Sequence, residues 1–198
     1  MSQSPDFCIH KYSSPSPTRH HPFHSFSLVI CSGRKEIMVA GSLSDELVSP
    51  VSVGRLWKAC VKDAHNLIPK IMPHMISSVE VCEGNGGVGT VKKINFTKEI
   101  KGYTYVKDKT VALDDEKFFL KYSLIEGGLI GKKFKSVSIE FKFEEGANGG
   151  SVSKMKTEYE TIGNAPLSEV EGKEMKENLL SMFKAVEGYL LQNHDAYA

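Results

Sequence analysis

Glu83-Gly84-Asn85-Gly86-Gly87-Val88-Gly89-Thr90 runs directly into Val91-Lys92-Lys93-Ile94-Asn95-Phe96-Thr97, and the pattern after the glycines decides the fold. Gly84, Gly86 and Gly89 have the spacing of a dinucleotide-binding loop. That chemistry needs a helix after the loop, so that the helix N-terminus faces the pyrophosphate. Here Thr90–Thr97 alternates apolar and polar residues with a period of two, the signature of a strand. A phosphate-binding Walker loop fails as well, because Thr90 stands where Lys is required. Gly84, Gly86, Gly87 and Gly89 therefore read as the turn of an antiparallel hairpin, whose exposed amides could still hold an anion weakly as a nest.

The same period runs outward from this hairpin. Ile76–Glu83, Tyr103–Leu113, Lys117–Glu126, Lys133–Glu144 and Ser151–Thr161 all alternate. Asp114-Asp115, Gly127-Gly128 and Asn148-Gly149-Gly150 punctuate them as hairpin turns do. An extended segment at 43–49 adds a seventh strand. Between it and Ile76, Leu56, Trp57, Cys60 and Val61 mark one helical face, with Ser52 as its cap. A second short helix is expected over Asn66–Ile71, interrupted at Pro69 and ended by Pro73.

At residues 168–192 the spacing becomes helical. Met175, Leu179, Met182, Val186 and Leu190 form one apolar stripe, and Ser168 with Glu171 fits a capping box. The order is strand, two short helices, six strands, long helix. That is the α+β class: a curved antiparallel sheet whose apolar face is covered mainly by the last helix.

Composition bounds the function. The chain has 198 residues with 25 Lys and Arg against 24 Asp and Glu, so no global charge argues for nucleic acid or an anionic membrane. No apolar run approaches the roughly 20 residues that span a bilayer. Cys8, Cys31, Cys60 and Cys82 form no close pair, so neither a zinc cluster nor a dense disulfide framework is suggested, and a reducing setting is expected.

Residues 1–37 differ from the rest. They hold eight Ser, four Pro and four of the seven His, with Asp6 and Glu36 as the acidic residues. They read as a disordered N-terminal extension, either a transit segment or an artefact of the gene model. His10, His20, His21 and His24 read as part of a solvated tail more readily than as a metal cluster. A compact domain is expected over residues 38–198, with 21 Lys and Arg against 22 Asp and Glu.

Phe96, Tyr103, Tyr105, Tyr122 and Tyr159 on strands, with Met175 and Met182 on the helix, are expected to face inward. Buried Tyr hydroxyls need partners and Met adapts to varied shapes, which suits an apolar pocket with sparse polar handles. An ordinary core would hold the same residues.

Several of these segments resemble one family. Glu83–Thr90, Lys92-Lys93-Ile94, Tyr105-Val106-Lys107-Asp108, Ser123–Gly131 and Ala185–Leu191 are similar to the plant pathogenesis-related class 10, or Bet v 1, family, as are Arg55–Ala59 and Asn66–Lys70. The resemblance runs from about residue 39 to the C-terminus. It implies a helix-grip fold: a seven-stranded antiparallel sheet around a long C-terminal helix, with two short helices closing a large apolar cavity.

The resemblance also implies a defence or stress protein that carries or stores amphipathic ligands. These are phytohormones such as abscisic acid or cytokinins, flavonoids and fatty acids. No cofactor and no metal are implied. The chain is expected to be a cytoplasmic monomer, with the nucleus as a second location, and many members are allergens. The candidate ligand-contact set is Lys92, Ile94, Phe96, Tyr103, Tyr105, Tyr122, Tyr159 and Met182, of which Lys92 and Tyr122 fall on positions that the resemblance implies as ligand contacts. Lys92 shares a face with Ile94 and Phe96, where it could meet a ligand carboxylate or phenolate. Leu120 and Ile139 depart from the birch protein's polar or aromatic residues.

Two alternatives come with the resemblance. One is an abscisic-acid-type receptor that inhibits a protein phosphatase. Its Ser-Gly-Leu-Pro-Ala gate and His-Arg-Leu latch are replaced by Thr97–Tyr103 and Leu129–Lys132. The other is an enzyme. A ribonuclease would use Lys92, Glu126, Glu187 and Tyr189 beside the glycine loop, with a carboxylate pair as base and acid. A specialised-metabolism synthase would use Tyr122 and Glu126. The chain is expected not to be an enzyme.

Overall fold

The computed structural model describes residues 38–198, and the expectations for residues 1–37 lie outside the described residues. The chain starts on β1 (Ala40–Ser49) and passes through α1 (Val53–Trp57), a π-helical turn (Lys58–Lys62) and α2 (Ala64–Ile71). Six strands come next: β2 (Ile76–Glu83), β3 (Val91–Phe96), β4 (Tyr105–Asp114), β5 (Phe119–Gly127), β6 (Phe134–Glu145) and β7 (Ser151–Thr161). The last element is α3 (Glu169–Gln192).

The seven strands form one sheet in the order β1-β7-β6-β5-β4-β3-β2. Every pairing is antiparallel. Neighbours in sequence are neighbours in space from β2 to β7, as short hairpins require, while β1 returns to close the far edge. Alternation decides the two faces. On β6, Phe134, Val137, Ile139 and Phe143 are buried, whereas on the other side Glu140 pairs with Lys121, and Glu144 pairs with both Lys142 and Lys154.

The inner face is covered by α3, whose buried positions are Gly172, Phe183, Val186 and Leu190. Phe183 is the residue that the predicted stripe omits; Met182, beside it on the helix, is only partly buried. Phe143 sits at the centre of this packing at 2% exposure. Its ring lies 5.8 Å from Trp57 of α1, edge to face, and 6.5 Å from Phe183 of α3, stacked. One β6 side chain thus joins three layers.

Both ends of α3 are anchored. Ser168 and Glu171 form the predicted capping box, and Glu171 also bonds Lys133 from the β5–β6 turn. These contacts hold the Glu171 carboxyl down at about 2. At the other end Arg55 of α1 donates to the carbonyls of Leu190, Asn193 and Ala196.

Several boundaries differ from the sequence reading. β1 begins at Ala40 rather than residue 43, because it pairs with β7 along its whole length. β4 begins at Tyr105; Tyr103 instead comes just after Gly102 and sets its ring edge-on to Phe96 at 5.3 Å. Ser52 occupies the N-cap of α1 without a side-chain bond. α2 runs through Pro69 rather than breaking there. A proline at that point removes one helical donor, and burial of Leu67 and Ile68 holds the turn.

Phe143→Ala should cost about 3–5 kcal/mol, as truncation of a core aromatic does, read as a lower urea midpoint. The carboxyl of Glu171 should titrate near 2 by NMR and return towards the ordinary glutamate range in Lys133→Met. Any stability that this depressed group contributes is present above its unfolded value and is lost as pH falls through the folded one.

Candidate functional site

α3 covers the sheet most closely at Phe183, Val186 and Leu190. Between its middle, the π-helical turn and strands β2–β6 lies a partly open pocket with a cavity volume of about 110 Å³. That is small beside the roughly 300–1,000 Å³ of drug-sized ligand sites. Most of its wall is apolar, with Ile94 from β3, Tyr122 from β5, Phe141 from β6 and Met182 from α3 among the lining residues.

Polar groups in that wall are few. Lys92 and Asp108 face each other across the β3–β4 pair, with Nζ 4.0 Å from Oδ1. That is an ion pair, too long for a hydrogen bond. Asp108 is 2% exposed, and its Oδ1 has no hydrogen-bond partner among the described residues. Burial pushes its carboxyl above the usual aspartate range, against the pull of Lys92. Tyr122 lines the same wall. Burial, helped by the Asp108 charge, pushes its phenol up, so it stays protonated. Burial also pushes the Cys60 thiol to about 12, too high for thiolate chemistry at neutral pH. His65 from α2 reaches the same rim.

Of the expected contact set, Lys92, Ile94, Tyr122 and Met182 border the pocket. Phe96 packs into the adjoining core with Tyr103 against it. Tyr159 lies under the N-terminal part of α3 with Phe134. Tyr105 is on the wrong face for a contact. It shares the outer parity of Lys107 and donates to Glu126 at 2.7 Å, and Lys107 bonds the same carboxylate at 2.7 Å. Leu120 borders the pocket, while Ile139 belongs to the cluster under the first half of α3.

The glycine loop does not border the pocket, and its amides turn inward. Gly86 N–H donates to Thr90 Oγ1, Gly87 to Asn85 Oδ1 and Gly89 to the Thr110 carbonyl, which leaves little of an anion nest. Gly84 has φ of 84°, and a Cβ there would lie 2.8 Å from Thr90 Cα. The loop is a structural turn that needs glycine.

The ribonuclease residues are not brought together. Lys92 points into the pocket, whereas Glu126 stands on the opposite face of the sheet. Tyr189 packs into the core from α3, and Glu187 lies on the same helix without an ion pair among the described residues. Tyr122 and Glu126, the synthase pair, are likewise on opposite faces. Among the described residues no cluster of three or more His, Cys, Asp or Glu is placed to hold a metal. No described helix is long and apolar enough to cross a membrane.

Sequence reasoning misses Asp108 as a pocket group. Its signal is nonetheless present: on β4, Val106, Asp108 and Thr110 share the buried parity, so a charged residue stands in an inward register.

A single curved sheet gripping one long helix over a side-opening apolar pocket defines the helix-grip class of α+β proteins. The chain belongs to the pathogenesis-related protein Bet v 1 family, whose sequence model matches residues 38–193. The major strawberry allergen Fra a 1.07 of Fragaria ananassa is 43% identical over 77% of this chain and 94% of its own. The crystal structure of Ara h 8.0201 superposes with a TM-score of 0.70 at 36% identity, over 78% of this chain and 99% of that one. Norcoclaurine synthase from Thalictrum flavum has a TM-score of 0.67 at 22% identity, over 83% and 98%, a likeness of fold alone.

Asp108→Asn removes a carboxyl whose charge burial penalises and should raise the melting temperature at pH 7. A carboxyl whose folded value is raised contributes stability below its unfolded value and loses it as pH rises through the folded one. The gap in melting temperature between variant and parent should therefore close as pH falls towards the ordinary aspartate range.

Proposed function

We propose that this chain binds amphipathic small molecules in the pocket beneath α3 and carries or stores them in plant defence or stress. The observation that supports this reading is the pocket itself: an apolar wall with a few polar groups at its strand side. Apolar burial at roughly 25 cal/mol per Å² supplies affinity, and sparse anchors orient rather than select sharply. Phytohormones such as abscisic acid or cytokinins, flavonoids and fatty acids have this amphipathic character. The ligand contacts are assigned to Lys92, Ile94, Tyr122 and Met182, with Asp108 added. A cytoplasmic monomer without catalytic turnover accords with the role.

The receptor alternative lacks its gate and latch in the sequence, so phosphatase inhibition finds no support in those segments. The enzyme alternative lacks a common site, because the sheet separates Lys92 from Glu126.

The test is displacement of a fluorescent cavity probe from the purified chain by abscisic acid, a cytokinin, a flavonoid and a fatty acid. Displacement by several at comparable affinity is expected. Ile94→Trp, which adds volume to the pocket wall from β3, should reduce probe uptake. Unchanged uptake in that variant would place the probe elsewhere.

A further inference from the structure

Resting on that pocket-binding reading, we propose that the hydrogen bond from Tyr197 to Asp63 is a clasp that holds the empty pocket shut, and that ligands bind with the clasp released. At about 110 Å³ the cavity has no room for a hormone or a flavonoid. One wall therefore gives way on binding.

Two of the walls are fixed. Strands β3–β6 are bonded to one another along their length, and α3 is pinned by buried Phe183, Val186 and Leu190. The third wall differs. Cys60, Val61, Ala64 and His65 line the pocket, and none of residues 60–66 is buried. Stretches with few buried contacts open at the lowest cost. This one is held before its start by Trp57, whose indole N–H donates to Asp115 at 2.8 Å, and after its end by buried Leu67 and Ile68. Between them Lys62 makes an exposed ion pair with Asp115, a kind of contact that contributes little. The remaining tie is Asp63.

Asp63 stands at the N-cap of α2, yet its carboxylate does not cap that helix. Oδ1 accepts from the Asn66 side chain at 2.7 Å, and Oδ2 accepts from the Tyr197 hydroxyl at 2.5 Å. An N-cap aspartate ordinarily accepts from the first amides of its own helix. Release of Tyr197 leaves the carboxylate free to do so. Tyr197 is eased by release as well. Its φ is 59°, a left-handed backbone that a bulky residue keeps only where its surroundings hold it. Burial and the Asp63 bond push its phenol up, so the donor proton is in place at neutral pH. Two arrangements that each satisfy the carboxylate are what a gate needs. Arg55 bonds the carbonyls of Leu190 and Asn193, so the strap that leaves begins after Asn193.

Stopped-flow fluorescence of 1-anilinonaphthalene-8-sulfonate on the full chain tests this. Tyr197→Phe keeps the ring and removes the donor. It should raise the association rate roughly tenfold, the weight of a hydrogen bond to a charged group. The Kd should fall by the same factor with dissociation unchanged. The urea midpoint should fall too. The variant would then be less stable yet bind more tightly, a pairing that a merely structural bond does not give. Tyr105→Phe removes the same kind of bond, to Glu126 on the outer face, and should leave both constants as they are. Adding Ile94→Trp to Tyr197→Phe should reduce uptake, since the gain belongs to the pocket.

Unchanged or slower association in Tyr197→Phe, or an equal gain in Tyr105→Phe, would overturn the clasp and leave the pocket reading intact. No uptake by parent or variant, or uptake indifferent to Ile94→Trp, would overturn the pocket reading and the clasp with it. If Tyr197→Phe does not fold, the parent chain decides. Its Tyr197 ring signals in NMR should move to exposed-tyrosine positions on saturation with the probe, and unmoved signals would overturn the clasp.

Discussion

The structure depends on how one curved sheet hides its inner face. Seven strands present an apolar surface too large for a single helix to cover fully. α3 closes it where Phe143 meets Trp57 and Phe183. Around that contact the core is continuous: Leu56, Ile76, Val186 and Leu190 are all essentially inaccessible. Aromatic rings fix this geometry because each brings a large buried area and a preferred stacking angle. Towards the β2–β5 side α3 no longer touches the sheet closely, and the gap becomes the pocket. The pocket is thus a consequence of covering a wide concave sheet with one helix.

A buried charge inside that gap is expensive, and the structure carries one. Asp108 lies at the inner parity of β4 with one oxygen unanswered. Its partner Lys92 keeps about a fifth of its side-chain surface, 21%, accessible. Long lysine stems can lie along apolar walls while the ammonium reaches water; the aspartate has no such freedom. A purely structural core would replace both with apolar side chains at little loss or some gain. Outside the sheet the charges behave differently. Lys121, Glu140, Glu158 and Lys156 form a ladder across β5, β6 and β7, where each pair contributes little but keeps the outer face polar.

Much of the fold is legible in the sequence because period and punctuation agree. Hairpin turns separate alternating segments, and Ser168 with Glu171 marks the start of α3. The family resemblance is confirmed by the match over residues 38–193. The site is legible in part, and the errors have a common cause. Aromatic character alone makes Tyr103 and Tyr105 read as inward. Parity on β4 puts Tyr105 with Lys107 and Lys109 on the solvent side, and Asp108 with Val106 on the other. Residue type misleads where register is the better guide. Phe183 escapes for a similar reason: a stripe of Met and Leu at regular spacing hides the ring one position away from Met182. The path of α2 through Pro69 is not legible, because tertiary burial of Leu67 and Ile68 holds it rather than any local signal.

The end of α3 ties the pocket to the chain terminus. The last turn of α3 contains no basic residue, so the carbonyls left open there lack a local counter-charge. Arg55 supplies it from another helix, bonding Leu190, Asn193 and Ala196 together. Lys58 bonds the terminal residue Ala198, and Tyr197 donates to Asp63 at 2.5 Å. Asp63 joins the π-helical turn to α2, and Cys60, Val61, Ala64 and His65 on either side of it line the pocket. One set of bonds therefore terminates the long helix, seats the C-terminal residues and fixes the wall that faces the strands.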